Sequence, residues 1–519
     1  MIVINSAAYV VSEFRTEFGR IPACLLPLGN KKLLEYQVSS LRRFNDDRIV
    51  VSLPDDYLLT IDEQRLFDKL SIEVTFVPVG IQLAQALLFV LNTVSDTGKT
   101  LRILHGDTLL DHIPSGEDLI AVAATHDDYN WEKEIIEPDR EIVWCGYFAL
   151  SSAREFIRSL ALAQGDFVKA VKLYSDHLPL ERIEIDGWHD LGHVNTYFVS
   201  RSKITTQRIF NSLVIADGTV WKSGSLSLKI FAESEWFRNL PIQLRKYIPQ
   251  LINAGIDDSS GNAFYQLEYL PTPPLNEAFV HGKNPSFFWK RIFCLMSDFF
   301  SAARASITSE QYLLQNIATD AHELYKKKTI SRLKAYALSA NIDFNRPTSY
   351  AGRPLPSIND IANICIEKTL ALQIVPAVLH GDFCLSNILF DSRSAAIKVI
   401  DPRGVNLQNE PTIYGDQKYD LAKVAHSIIG LYDFIISGRY EICKSPDGYF
   451  SINFNLDERL ISIQQLFLDC EFVPGLRSND VMPLTVLLFL SMLPLHSDRP
   501  DRQEAMLINA VRLYSESCT

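Results

Sequence analysis

The chain has 519 residues, 47% of them hydrophobic, and a formal net charge of −12. This length exceeds one ordinary core and predicts two or three domains, each able to bury a proper interior. An acidic chain lacks the basic footprint that phosphate backbones require, which argues against nucleic acid as a partner.

The first two hundred residues alternate short apolar strands with amphipathic helices. The predicted strands are residues 2–4, 49–53, 74–77 and 101–104, and the predicted helices are 32–44 and 81–94. Such alternation predicts a parallel sheet covered by helices, with ligands at the carboxyl ends of the strands. The first strand begins without a basic leader or cleavage site, so we do not expect a signal peptide there.

Two aspartates stand out in this region. Asp107 directly follows a predicted strand, and Asp190 lies in Gly-Trp-His-Asp-Leu-Gly-His. Two carboxylates far apart in sequence can share one metal ion, which neutralises a nucleoside triphosphate.

These segments resemble the sugar-phosphate nucleotidyltransferases. That family has one metal-binding aspartate after a central strand, as at Asp107, and a second in a Trp-x-Asp-x-Gly motif, as at Asp190. Residues 21–36 and 143–149 also resemble its Pro-Lys-x-Leu-Leu-Pro segment and its substrate-side strand. The resemblance implies that the two aspartates hold a metal and that the domain uses CTP or another nucleoside triphosphate.

The chain departs from this family at the phosphate-binding loop. The family has a glycine-rich loop, but residues 6–15 here contain no glycine, and Ala23 replaces a lysine. Side chains at those positions obstruct close backbone approach to phosphate. The nearby cations that could substitute are Arg15, Arg20, Lys31 and Lys32. Two interpretations stay open, an active transferase or a retained fold that only binds a nucleotide, a sugar phosphate or the neighbouring domain.

A short basic and polar stretch near residues 200–206 predicts a domain boundary, which separates 1–203 from 204–519. Strands are then predicted at 212–216 and 219–222, around the turn Asp217-Gly218. Lys222 ends the second strand, and Glu233 is predicted to open a helix. We expect an amino lobe over 204–275 and a carboxyl lobe over 276–519.

The segment 378–404 holds three polar residues, Asp382, Asn387 and Asp401, in an apolar frame. Two short strands joined by the polar turn 391–394 predict a hairpin that returns Asp401 to the side of Asn387. A carboxylate for a hydroxyl proton, with an amide oxygen and a second carboxylate for magnesium, is what phosphoryl transfer from ATP needs.

This loop resembles the catalytic core of the aminoglycoside phosphotransferase and choline kinase family, which reads His-Gly-Asp, four residues, Asn, and further on Ile-Asp. The resemblance implies that Asp382 is the catalytic base and that Asn387 and Asp401 hold Mg²⁺. It also implies that Lys222 holds the ATP phosphates and pairs with Glu233, which we choose over Glu235 because of its spacing to Leu240.

Further site residues rest on position within the resemblance. Ser223 is expected to offer a backbone donor to phosphate or to form a plain turn, and the connector from Glu268 to Leu270 is expected to bind adenine. Arg403 either stabilises charge on the transferring phosphate or forms a salt bridge to Asp416.

The helices after residue 427 are expected to form the acceptor pocket. Contacts to the acceptor are assigned to His426, Tyr432 and Asp433. The acidic residues of these helices are compatible with a cationic acceptor such as an amino alcohol, and they leave a sugar or an amino acid open. Asp420 is expected to cap its helix and to hold the catalytic loop.

The rest of the chain adds two expectations. The eight cysteines, among them Cys294 and Cys365, lack metal-binding spacings and are interpreted as buried, reduced thiols of a cytoplasmic protein. The apolar run 481–495 is too short for a membrane span and predicts a buried helix.

Together the motifs predict an α/β, nucleotidyltransferase-like (Rossmann-like) domain followed by an α+β, protein-kinase-like domain of two lobes. The kinase would phosphorylate a small hydroxyl compound, and the transferase would couple the product to a nucleotide for a capsule or another surface glycoconjugate. The alternative is a kinase with a non-catalytic binding module. The sequence leaves a homo-oligomer open.

Overall fold

The computed structural model describes residues 1–44, 47–94, 100–125, 127–137, 140–205, 211–224, 227–258, 260–307, 311–444 and 450–518. The chain divides into two compact units. Unit 1 comprises Met1–Thr205 and His281–Asn284, and unit 2 comprises Thr206–Val280 and Pro285–Thr519.

Unit 1 contains an α/β arrangement of short strands and helices. Its strands are β1 (Ile2–Asn5), β2 (Pro27–Leu28), β3 (Lys31–Lys32), β4 (Ile49–Pro54), β5 (Ile72–Val77), β6 (Leu101–His105), β7 (Thr108–Leu110), β8 (Leu119–Ala123), β9 (Lys133–Glu137), β10 (Arg140–Leu150), β11 (Glu181–Glu184) and β12 (Trp188–Asp190). Its helices are α1 (Ser12–Phe18), α2 (Leu33–Phe44), α3 (Ile61–Lys69), α4 (Leu83–Thr93), α5 (Ala153–Ala163), α6 (Phe167–Ser175) and α7 (Val194–Thr205).

The main sheet of unit 1 has the strand order β11-β8-β10-β6-β1-β4-β5, with β9 paired to β10. Strand β1 is parallel to β4 and β6, and β4 is parallel to β5, as the alternation predicts. Every residue of β1 and β4 is buried, which explains their continuous apolar sequence. The four predicted strands thus form the parallel part of the sheet, whereas β10, which the alternation did not include, runs antiparallel to β6 and β8. Strand β9 is antiparallel to β10, because the two residues between them are too few for a parallel crossover.

Helix α7 continues through the polar stretch that was predicted to be a crossing between domains. Residues 206–210, which follow it, lie outside the described residues. Tyr197 and Phe198 of α7 are buried, whereas Val199 is exposed. One side of this helix therefore faces solvent, which is compatible with its polar residues.

Unit 2 combines a small sheet with a larger helical part. Its strands are β13 (Asn211–Ala216), β14 (Thr219–Gly224), β15 (Leu251–Ile256), β16 (Ala263–Glu268), β17 (Pro347–Tyr350), β18 (Arg353–Ser357), β19 (Pro376–Val378), β20 (Ile388–Asp391), β21 (Ala396–Val399), β22 (Tyr414–Asp416), β23 (Glu441–Lys444) and β24 (Phe450–Asn453). Its helices are α8 (Ser227–Asn239), α9 (Leu275–Val280), α10 (Ser286–Ala305), α11 (Gln311–His322), α12 (Lys328–Ala340), α13 (Ile358–Ala371), α14 (Lys418–Ile428), α15 (Tyr432–Ile436), α16 (Glu458–Asp469), α17 (Met482–Met492) and α18 (Pro500–Ser517). A π-helical turn, Glu323–Lys327, joins α11 to α12.

The four-stranded sheet of unit 2 has the order β13-β14-β16-β15 and is antiparallel throughout. Helix α8 begins at Ser227, so the prediction that Glu233 opens this helix is wrong by six residues. The earlier turns form because Ile230 is already buried in the same core as Trp236, and Ala232 is buried as well.

The apolar run near the carboxyl terminus forms α17, and every residue of this helix from Met482 to Ser491 is buried. Among the described residues, one segment, Ser478–His496, is long and apolar enough to cross a membrane, and 72% of its most apolar window is buried inside the protein. The expectation that this run is too short for a membrane span is wrong, but its burial is what a core helix has, as predicted.

The cysteines do not all follow the prediction. Cys365 is buried, but Cys294 is exposed, so the interpretation of the whole set as buried is wrong. Cys294 lies on α10, where the apolar neighbours Ile292 and Phe293 face the core and the next position turns outward.

Candidate active site

The hairpin of β20 and β21 places Asn387 and Asp401, two of the polar residues singled out in the sequence, side by side. Ile388 pairs with Val399, and the Ile400 amide donates to the Asn387 carbonyl at 3.0 Å. Asp401 therefore lies next to Asn387, as the hairpin prediction requires. Its φ of +56° is in the left-handed region, which few residues other than glycine, asparagine and aspartate adopt.

His380 supports the loop from inside the protein. Its Nε2 lies 3.0 Å from the Ile400 carbonyl, and its Nδ1 accepts from the Asp382 amide at 3.3 Å. Burial lowers the pKa of His380 to about 4, so the ring is neutral at pH 7. These contacts assign the proton to Nε2 and make His380 a fixed link between the loop and the hairpin.

Helix α14 holds the same loop through Asp420. The amides of His380 and Gly381 each donate to the Asp420 carboxylate at 2.8 Å. Burial raises the pKa of Asp420 to about 7, even though both amides stabilise the ionised form. The loop is thus held at its backbone by a side chain from a different element, which is one of the two roles expected for Asp420. The expectation that Asp420 caps α14 is wrong, because Gln417 is the cap residue and Asp420 lies within the first turn.

Lys423 is a site residue that the sequence analysis missed. Its Nζ lies 2.8 Å from Asp382 Oδ1, and Asn387 Nδ2 donates to Asp382 Oδ2 at 3.0 Å. Burial raises the pKa of Asp382, but Lys423 and then Asn387 outweigh burial and hold it at about 2. The signal was helical spacing, because Lys423 follows Asp420 by three residues and shares its face of α14.

Lys222 is placed between two carboxylates. Its Nζ lies 2.7 Å from Glu233 Oε2 and 3.0 Å from Asp401 Oδ1, and only 4% of its side chain is exposed. Burial lowers the pKa of Lys222, but Asp401 and Glu233 reverse the direction and raise it. The Tyr265 hydroxyl also donates to Glu233 at 2.8 Å. Glu233 therefore contacts the lysine, whereas Glu235 pairs with Arg238 of its own helix.

The residues assigned to Mg²⁺ have suitable donor atoms. Both amide hydrogens of Asn387 point towards Asp382, whose backbone carbonyl and Oδ2 accept from Nδ2, so Oδ1 is the Asn387 atom left for a cation. Asp401 adds carboxylate oxygens beside it. No group of three or more His, Cys, Asp or Glu side chains suited to a metal occurs among the described residues. Mg²⁺ does not require one, since it keeps several waters and binds one or two protein oxygens with substrate phosphates.

The remaining predicted nucleotide contacts lie on the small sheet. Ser223 is within β14, which β13 and β16 flank, so its backbone faces neighbouring strands and its side chain points away from the face of Lys222. The Glu268 amide donates to the Gln250 carbonyl at 2.9 Å, and the Leu270 carbonyl accepts from the Thr272 amide at 2.8 Å. Phosphate and adenine contacts from these residues stay predictions.

Arg403 follows the hairpin directly. Its amide donates to the His380 carbonyl at 2.8 Å, and its guanidinium carbon lies 5.7 Å from the centre of the Tyr419 ring. The alternative partner, Asp416, instead pairs with Lys418 at 3.1 Å, and no Arg403–Asp416 salt bridge occurs among the described residues. The structure thus leaves the guanidinium on the pocket side of the loop.

A pocket of about 940 Å³ opens beside Asp382 and Asp401. Five basic side chains line it, Lys229, Lys328, Arg332, Arg403 and Lys423. The expectation of an acidic acceptor side is wrong, because the acidic residues of the following helices do not face this pocket. His426 and Tyr432 line it, as predicted, whereas the buried Asp433 is not among its lining residues.

Unit 1 brings its two predicted metal ligands together. Asp190 in β12 pairs with Thr108 of β7, and the Leu191 amide donates to the Asp107 carbonyl at 2.8 Å. A Cβ on Gly192 would lie 2.5 Å from Asp107 Oδ2 and 3.4 Å from Asp190 Oδ1, so both carboxylates converge on this glycine. Their oxygens are suitable Mg²⁺ ligands.

Asp190 also has partners that the sequence analysis missed. His193 Nδ1 lies 2.8 Å from Asp190 Oδ2, which also accepts from the Thr196 hydroxyl. Burial raises the pKa of Asp190, against these two hydrogen bonds, and repulsion from Asp107 adds to the rise. A bound cation would relieve this repulsion.

A cavity of about 280 Å³ lies at the carboxyl ends of β1 and β6, where Ser6 and Asp107 are among its lining residues. None of its described lining residues is lysine or arginine. The four cations considered as substitutes are not among these lining residues. Arg15 donates to the Val10 carbonyl, Arg20 pairs with Asp56, Lys31 lies over the Tyr36 ring and Lys32 is buried against Glu63.

No protein-family model matches the chain, and no curated protein matches it. Solved structures do. HddC from Yersinia pseudotuberculosis covers 39% of this chain and 99% of its own, with 14% identity and a TM-score of 0.30. A thermostable mutant of aminoglycoside phosphotransferase APH(4)-Ia covers 62% and 99%, with 11% identity and a TM-score of 0.35.

A third solved structure, 4-diphosphocytidyl-2C-methyl-D-erythritol synthase, covers 38% of this chain and 95% of its own, with 16% identity and a TM-score of 0.25. HddC was also solved with GMP-PN, and the phosphotransferase with ADP and hygromycin B. A phosphotransferase and a diphosphocytidyl-methylerythritol synthase are thus among the solved structures that are similar to parts of this chain.

Proposed function

We propose that unit 2 transfers the γ-phosphoryl group of ATP to the hydroxyl of a small molecule. The observation that carries this proposal is the convergence of Asp382, Asn387 and Asp401 with Lys222 and Glu233. Lys222 lies 179 residues before Asp401 in the sequence, yet the two side chains are in contact. Three carboxylates, an amide and an ammonium at these distances form the set of charges that phosphoryl transfer uses.

In this mechanism Asp382, ionised at neutral pH, accepts a hydrogen bond from the acceptor hydroxyl and orients it. A bond forms between that oxygen and the γ-phosphorus, the bond to the ADP oxygen breaks, and the hydroxyl proton passes to Asp382. Lys222, held by Glu233, positions the ATP phosphates. When bound to Asn387 and Asp401, Mg²⁺ supplies charge neutralisation. Positioning and electrostatics provide most of the rate.

The test is ADP release with a panel of alcohols, amino acids and sugars, followed by mass spectrometry of the products. Asp382→Asn should remove most turnover while ATP still binds. Asp298→Asn is the matched control, because Asp298 is exposed on α10. Full turnover in Asp382→Asn would refute the assignment.

For unit 1 we propose metal-assisted nucleotidyl transfer as a second activity, because Asp107 and Asp190 converge on Gly192. The phosphorylated product of unit 2 would be coupled to a nucleotide, with pyrophosphate as the leaving group, and would supply a capsule or a similar glycoconjugate. The competing proposal is a binding module without catalysis. The loop without glycines and the cavity whose described lining lacks lysine and arginine favour this alternative.

These two proposals for unit 1 differ in one measurement. Pyrophosphate release is followed with CTP, UTP or GTP and a panel of phosphorylated acceptors. Release that disappears in Asp190→Ala, with ATP-dependent phosphorylation unchanged, supports the transferase. Nucleotide binding without release in the wild type supports the binding module.

A further inference from the structure

One wall of the unit 2 pocket is built by α12 and α17. Lys328 and Arg332 of α12 line it, and so do Ser491 and Met492 of α17. The π-helical turn Glu323–Lys327 ends immediately before Lys328, and such turns occur often at functional sites. Asp382 lines the same 940 Å³ pocket, so one ligand can contact both this wall and the catalytic loop.

The two acidic residues that line the pocket already have cationic partners. Asp382 pairs with Lys423 at 2.8 Å, and Asp401 with Lys222 at 3.0 Å. By contrast, Lys328, Arg332 and Arg403 form no salt bridge with a carboxylate among the described residues. Burial raises the pKa of Asp320, and the charge of Arg403 opposes this rise without a salt bridge between the two residues. The pocket therefore keeps an excess of positive charge.

The three cations act on one another across this space. Lys328 Nζ donates to the Tyr419 hydroxyl at 3.3 Å, and Arg332 donates to the Ser491 carbonyl at 3.1 Å. Burial lowers the pKa of Lys328 to about 8, and repulsion from Arg403, Arg332 and Lys423 contributes. Burial alone would raise the pKa of Tyr419, but Lys328, Lys423 and Arg403 lower it to about 8. Uncompensated cations at this density favour an anion from solution.

A polar group without a partner lies beside this wall. His426 is 1% exposed, and neither of its ring nitrogens has a hydrogen-bond partner among the described residues. Its ring packs between Tyr432 and Phe489 and still lines the pocket. A buried imidazole without a partner costs stability unless a ligand satisfies it.

We infer that the acceptor is an anionic hydroxyl compound, whose carboxylate or phosphate binds Lys328 and Arg332 while its hydroxyl faces Asp382. This inference rests on the proposed phosphotransferase function and narrows its substrate class. Amino alcohols and other cations are disfavoured, because they would meet several positive charges, while both carboxylates among the described lining residues are already paired with lysines. The His426 ring donates a hydrogen bond to a polar group of the acceptor or accepts one from it.

The experiment offers the full-length protein and ATP a library of hydroxyl compounds in three classes, anionic, neutral and cationic. Products are identified by mass spectrometry. Glycerate, glycerol phosphate, glycerol and aminopropanediol form a series on one carbon skeleton, and the first two distinguish carboxylate from phosphate. We expect products from the anionic class and KM values at least about tenfold lower than for neutral analogues.

Variants of α12 test the assigned contact. Lys328→Gln and Arg332→Gln should each raise the KM of the anionic acceptor about tenfold and leave the KM of ATP unchanged. Lys334→Gln is the matched control, because Lys334 is exposed on the same helix. Thermal melting of each variant, and binding of glycerate and glycerol phosphate by calorimetry, exclude an effect through folding.

The outcomes separate the two proposals. Phosphorylation confined to neutral or cationic compounds would overturn the anionic class and leave the phosphotransferase function standing. A change in the KM of ATP alone would assign these cations to the nucleotide and also overturn the inference. Absence of any phosphorylated product would refute the proposed function itself.

Discussion

Gly404 lets the loop after Asp401 approach helix α8. Its φ is +69°, and a Cβ built on it would lie 2.3 Å from the Ala232 carbonyl oxygen and 3.1 Å from the Glu233 amide. Glu233 holds Lys222, so this approach sets the distance between the lysine and Asp401. Gly404→Ala should therefore weaken both the fold of unit 2 and its binding of ATP.

The magnitude follows from two separate costs. A left-handed conformation costs an alanine roughly 1–2 kcal/mol. Overpacking against a backbone oxygen that cannot rotate away adds roughly 1–3 kcal/mol. The free energy of unfolding should fall by roughly 2–5 kcal/mol in total. For a unit of about 310 residues, each kcal/mol lowers Tm by about 1.5 °C, so Tm should fall by about 3–7 °C.

Gly438 provides the control, because its φ is also +69° but nothing lies within 4 Å of its Cβ position. Gly438→Ala should show only the conformational cost, about 1–2 kcal/mol, and an unchanged KM for ATP. Thermal melting and steady-state kinetics of both variants measure the difference. Equal Tm shifts with an unchanged KM for ATP would refute the idea that Gly404 is required for close approach.

Three further changes test the charges of the two units. Lys423→Gln should raise the pKa of Asp382 above about 2, because burial is then no longer offset by the lysine charge, so the acidic limb of the kcat/KM profile moves to higher pH; a limb that stays in place contradicts the pairing, and Lys334→Gln is the control. Glu233→Gln should raise the KM of ATP about tenfold by weakening the hold on Lys222, whereas Glu235→Gln should not, and equal KM values would argue against the assigned pair. Gly192→Ala should displace the Asp107 carboxylate and abolish the binding of Mn²⁺ to unit 1, which calorimetry measures. Retained binding would place the cation elsewhere, and ATP-dependent phosphorylation by unit 2 serves as the internal control.

The hairpin of β20 and β21 could be predicted from the sequence because its geometry is local. Asp382, Asn387 and Asp401 lie within twenty residues of one another, and strand pairing between them follows from the apolar pattern and the turn. The contact between Lys222 and Glu233 spans eleven residues and was found through the resemblance. The sequence analysis did not find the first residue of α8, because burial of Ile230 in the tertiary core decides where this helix begins.

Lys423 and the cations of α12 could not be placed in the same way. Helical spacing places Lys423 on the face of α14 that carries Asp420. Its contact with Asp382, however, depends on how α14 packs against the loop, and local periodicity holds no information on that packing. Lys328 reaches the pocket only after a π-helical turn has rotated the helix face, which a regular helical pattern does not anticipate.

The pocket of unit 2 shows why the net charge of this chain is a poor guide to the charge of a local site. The chain carries −12 overall, and its carboxyl-terminal helices contain many acidic residues, yet five basic side chains line the pocket. Glu458, Asp469 and Glu504 on these helices are exposed to solvent, where ionisation costs least, although Asp420 and Asp433 are buried. In the pocket, Lys328 and Arg332 lose hydration through burial. A bound ligand can offset this loss of hydration, and an anion that neutralises Lys328 and Arg332 would do so. Binding of the acceptor should therefore stabilise unit 2 as well as serve the reaction.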